Sequence, residues 1–62
     1  MKRLESRIMH VLRDDSMLTT NQIAKELNET IEAVNSELLW LKRTGIIEDQ
    51  IKDNRRVWVL YP

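Results

Sequence analysis

Residues 18–27 read Leu18-Thr19-Thr20-Asn21-Gln22-Ile23-Ala24-Lys25-Glu26-Leu27. Thr19 and Gln22 have the spacing of a capping box, in which the threonine hydroxyl accepts from the backbone N–H of Gln22 and the glutamine amide reaches back. A helix therefore starts here and runs over about residues 20–27, with Ile23, Ala24 and Leu27 as its one narrow apolar edge. Asn28-Glu29 is the tight turn out of it, and Thr30 is well placed to cap the next helix.

The chain on both sides completes the pattern. From Ile31, the apolar positions Val34, Leu38 and Leu41 recur at helical spacing. Lys42-Arg43 fall in the last turn, where they complement the helix dipole. Gly45, the only glycine, stops this helix of about residues 31–43, because glycine tolerates the left-handed conformation of a helix C-cap. Upstream, Leu4, Ile8, Val11 and Leu12 form one stripe of a first helix over about residues 2–14, broken by Asp14-Asp15-Ser16. Met17-Leu18 is a short connector. After Gly45 the chemistry is that of strands: Ile46, Ile47 and Ile51, a turn at Asp53-Asn54, then Val57-Trp58-Val59-Leu60-Tyr61, a hairpin over about residues 46–61. The fold class is α+β: a winged helix-turn-helix of three helices followed by a two-stranded β-hairpin wing, one domain over residues 1–62.

The run from Leu18 to Leu27, a polar cap followed by Ile-Ala-x-x-Leu, resembles the opening of the second helix in bacterial and archaeal winged-helix transcription regulators. Thr30, Val34, Leu38, Leu41, Gly45 and Ile46-Ile47 fall where that superfamily has its recognition-helix cap, core positions, terminating glycine and first wing strand. The resemblance covers nearly the whole chain and implies a nucleic-acid-binding fold. Within the superfamily, Asn35 and Trp58 are similar in position to the Asn and Trp that Z-form nucleic-acid-binding domains use on their backbone contacts. Leu39 stands where those domains have a Tyr, Ile31 replaces a contacting Lys, and the wing lacks their proline pair.

Composition bounds the function. The absence of Cys removes disulfides and thiolate metal sites, which fits a reducing cytoplasm. No apolar run approaches the ~20 residues of a membrane helix, and Met1-Lys2-Arg3 leads into no signal-peptide core, so the reading is of a soluble, intracellular protein without a membrane. Ten Lys and Arg balance ten Asp and Glu, which withholds the basic excess that often marks nucleic-acid binders. His10, the only histidine, has no second ligand at metal spacing, so no metal is implied. With no Cys, no Gly-rich phosphate loop and no Ser-His-carboxylate arrangement, the residues point to no enzyme and no cofactor.

Two functions follow from what remains. In the first, the chain is a small transcriptional regulator of double-stranded DNA. Thr30, Glu32, Asn35 and Ser36 on the third helix meet the major groove, and Lys52, Arg55 and Arg56 at the wing tip meet the backbone. So few positive charges bind weakly one module at a time, which argues for a homodimer on two half-sites. In the second, the domain binds a protein partner instead. Glu32 and Glu37 precede any positive charge on the third helix, and apolar residues exceed what one core can take: Leu39 is read as exposed, Trp40 as packed on helix 1 or under the wing, and Val57, Val59 and Tyr61 as a surplus strand face. Leu39, Val57, Val59 and Tyr61 are then the interface. Arg3, Arg7 and Arg13, with Lys2, read as solvated surface.

Overall fold

The computed structural model describes residues 3–61, as α1 (Leu4–Asp14), α2 (Thr20–Leu27), α3 (Ile31–Arg43), β1 (Ile47–Lys52) and β2 (Arg55–Leu60). Position 2, expected in the first helix, lies outside the described residues, and Arg3 is the N-cap of α1.

Local chemistry sets the element ends. The Thr19 hydroxyl accepts from Gln22 N–H at 3.1 Å, and the Gln22 side-chain oxygen accepts from Thr19 N–H at 2.8 Å, the capping box in full. Thr30 caps α3 by accepting from Ala33 N–H at 3.1 Å. At the other end of α3, Gly45 takes φ +82° while its N–H donates to Lys42 O and that of Ile46 donates to Leu41 O, a Schellman motif. Asp53 and Asn54 both take positive φ, 53° and 62°, as a two-residue turn matched to the twist of an antiparallel hairpin requires. From that turn the register runs Lys52↔Arg55 back to Ile47↔Leu60.

The core draws on every element: Ile8 and Leu12 of α1, Ile23, Ala24 and Leu27 of α2, Val34, Leu38 and Leu41 of α3, Ile47 of β1 and Trp58 of β2. Arg7, expected as solvated surface, instead joins α1 to the turn between α2 and α3. Its guanidinium donates to Leu27 O at 2.6 Å and to the Glu29 carboxylate at 2.8 Å. The connector after α1 is also more than a link. Met17 N–H donates to Trp58 O and Trp58 N–H donates to Leu18 O, so the connector pairs with the free edge of β2. β2 is thereby flanked on both sides. None of the helices among the described residues is long and apolar enough to cross a membrane.

A Cβ built at Gly45 would meet nothing within 4 Å, so the cost of a side chain there is that of its backbone conformation alone. Gly45→Ala should lower unfolding free energy by about 1 kcal/mol, and Gly45→Asn by less, since Asn visits the left-handed region more readily. Urea denaturation midpoints check the order; equal stability of all three proteins would show that the left-handed C-cap is not needed.

Candidate nucleic-acid interface

Helix α3 presents three surfaces outside the core. Successive helical residues are rotated by about 100°, so Ile31, Asn35, Leu39 and Lys42 lie within roughly 80° of one another on one flank. Ala33, Glu37 and Trp40 occupy the other flank, and Glu32, Ser36 and Arg43 point away from the buried Val34, Leu38 and Leu41. The first flank faces the wing, because Lys42 Nζ lies 2.9 Å from Asp49 Oδ1 of β1. The second borders a groove with Arg3, Leu4 and Glu5.

Asp49 is the junction between helix and wing. Its second oxygen, Oδ2, accepts from Arg56 Nε at 2.8 Å. The Arg56 guanidinium carbon in turn lies 4.5 Å from the centroid of the Trp58 ring, a cation–π stack. The Lys42 ammonium first, and the Arg56 guanidinium with it, hold the Asp49 carboxyl below its ordinary value of 3.8, against partial desolvation that pushes the other way. Helix flank, carboxylate and guanidinium therefore form one connected surface, laid over the buried indole.

The residues expected on DNA divide among these surfaces. Asn35 sits half-buried on the wing-facing flank, with no side-chain hydrogen bond to another described residue. Glu32 and Ser36 are exposed but belong to the outward surface, and the Thr30 hydroxyl is engaged as the cap of α3. Arg55 and Arg56 border one hollow with Thr19, Thr20, Asn21 and Gln22, so the wing cations stand beside the start of α2. Lys52 approaches Met17 Sδ at 3.6 Å.

The residues expected to share a protein interface do not form one patch. Leu39 is 42% exposed, on the flank of Asn35. Val57 and Val59 alternate onto the strand face opposite Trp58, where Val57 is buried and Val59 half-buried; Tyr61 is exposed. Val57 is the clear correction: the pairing of Met17-Leu18 with β2 brings the connector alongside it, and Met17, Thr19 and Lys52 border the same hollow. Trp40 borders Leu4 and Glu5 of α1, the helix it was expected to meet, but stands half exposed there rather than buried. Trp58, which the resemblance placed against a nucleic-acid backbone, has no exposed area, and its Nε1–H donates to Thr20 Oγ1 at 3.0 Å.

Sequence reasoning overlooked Lys42 and Asp49. Counting the register back from Asp53-Asn54 sets Asp49 opposite Trp58 and diagonal to Arg56, so that half was recoverable. Nothing local links Lys42 to either.

No family model matches the sequence, and no curated protein does. Solved structures do. The apo-Zalpha domain of zebrafish PKZ matches with a TM-score of 0.90 and 33% identity over 95% of this chain and 92% of that one. The chain belongs to the Zalpha family of winged-helix domains. The PKZ Zalpha domain solved in complex with ds(CG)6 matches at TM-score 0.85 and 34% identity, covering 92% of each chain. A mutant of S. aureus MepR, at TM-score 0.90 but 24% identity, shares the fold over 98% of this chain and 48% of its own.

For this Zalpha domain, the depressed Asp49 pKa gives a stability term that is fully present above the unfolded-state pKa and lost as pH falls through the folded one. Asp49→Asn should therefore melt below wild type at pH 7, and the gap in Tm should close as pH drops through and below the ordinary carboxylate range. A gap that stays constant down to acid pH would show that the carboxylate's charge is not what the structure uses.

Proposed function

We propose that this domain binds duplex nucleic acid of alternating C and G through the wing-facing flank of α3 and the base of the wing, reading backbone shape rather than base edges. The observation that carries this is the amide of Asn35 on that flank, unpaired among the described residues, in a chain a third identical over nearly its whole length to a domain solved with ds(CG)6. Ile31 and Leu39 flank Asn35 along the helix as half-exposed apolar surface, which favours close approach to sugar and base faces over salt-dependent steering. The balanced net charge fits the same mode, since a small footprint needs few phosphate contacts.

A dimeric regulator that inserts α3 into the major groove of right-handed DNA is the second reading, and Glu32 and Ser36 favour it by pointing straight out from the core. The two modes differ in what happens to the duplex. Circular dichroism of a (CG)6 duplex titrated with the full chain should show inversion of the long-wavelength bands, the sign change of a left-handed helix. Binding with an unchanged right-handed spectrum would overturn this reading in favour of groove recognition, and no binding at any salt would leave the exposed Leu39 and Trp40 to a protein partner.

A further inference from the structure

On this domain the wing's phosphate contact cannot come from Trp58. The residue has no exposed area, and its single donor, Nε1–H, is committed to Thr20 Oγ1. What covers the ring is Arg56, whose side chain is 42% exposed. A guanidinium carries five N–H donors, and Arg56 commits only Nε to Asp49 among the described residues. The four donors on its two terminal nitrogens have no partner among the described residues. Lys42 is held by the other oxygen of the same carboxylate and keeps the remaining donors of its ammonium.

We propose that Arg56, laid on the Trp58 ring and held there by Asp49, is the wing's phosphate-contacting residue, and that Asp49 is a positioning residue fixing Arg56 and Lys42 as a pair of cations bridging wing and α3. This rests on the duplex-binding reading above. Two cations around one carboxylate leave the cluster net positive, so an approaching phosphate is attracted. Both carboxylate oxygens are already engaged. Their pairing to Asp49 restricts the two long side chains before the duplex arrives, which lowers the ordering cost that an unpositioned Arg or Lys would meet on binding.

Charge alone and positioning predict opposite signs for one substitution. Asp49→Asn removes a negative charge from a chain of formal net charge +0, so charge alone makes binding tighter. Positioning makes it weaker, by about threefold to tenfold. Fluorescence anisotropy with a (CG)6 duplex across a salt series reads this. Arg56→Ala should weaken binding about tenfold and lower the slope of log K against log salt by about one, and in the Arg56→Ala background Asp49→Asn should cost less than it does in the wild type, because only the positioning of Lys42 is then left to lose. Affinity unchanged or raised by Asp49→Asn overturns the proposal. Should that variant fail to fold, Arg56→Lys carries the test: the charge is kept, the guanidinium plane is lost, and undiminished affinity overturns the assignment. In the free protein, the Arg56 Nε–H resonance should be ring-current shifted and lose that shift in Asp49→Asn. Its presence in a wild-type protein that binds no duplex would show that the geometry stands while the duplex reading, and this contact with it, fails.

Discussion

Trp58 is where the wing is joined to the helices, and each of its groups serves that joint. Its backbone pairs on one side with β1 and on the other with Leu18, so β2 has no open edge at this point. The indole fills the core beside residues from all three helices, its N–H reaches Thr20 at the start of α2, and its outer face carries Arg56. Truncating a buried Trp costs about 3–5 kcal/mol, against a total stability of about 5–15 kcal/mol for ordinary domains. For a chain of 62 residues, with little surface to bury and no disulfide, that is a large share. A two-stranded hairpin is marginal on its own, so the wing holds its shape because this one residue is seated.

Seating the wing also decides what the surface can be. With the indole buried, the polar end of the inner wing face falls to Asp49 and Arg56, and the close packing of β1 against the end of α3 brings Lys42 to the same carboxylate. The exposed ion pairs elsewhere, such as Arg3–Glu5 at 3.5 Å, contribute little in water. The Asp49 pairs differ in being joined to one another and to a stacked ring, which restricts three side chains at once. Structural demand and the proposed nucleic-acid surface coincide at this junction.

How much of this could be read beforehand follows from how local each cause is. Thr19 with Gln22, Thr30, Gly45 and Asp53-Asn54 act within a few residues of themselves, and all were legible as caps, stop and turn. Leu39 was legible as exposed because four consecutive apolar residues on a helix cannot share one core. Val57 was not legible: strand alternation sends it outward, and only the pairing of Met17-Leu18 with β2, between segments far apart in the chain, encloses it. Arg7 misled for the same reason, since its partners Leu27 and Glu29 belong to another helix's end. The resemblance supplied Asn35, whose amide is unpaired among the described residues, yet it also supplied Trp58, whose donor the fold uses internally. Lys42 lies late on α3, and along the helix alone it has no reason to matter near the groove; the wing is what it meets.

In the proposed binding mode the working surface is the wing-facing flank of α3 together with Asp49 and Arg56 of the wing, and not the outward surface of that helix. Amide and side-chain NMR shifts of the labelled full chain on adding a (CG)6 duplex test it most directly. In that mode the Asn35 side-chain amide, the Leu39 methyls and the Arg56 Nε–H move together while Glu32, Ser36 and Trp40 stay in place. Shifts centred on Glu32 and Ser36, with Asn35 and Arg56 unmoved, would contradict it.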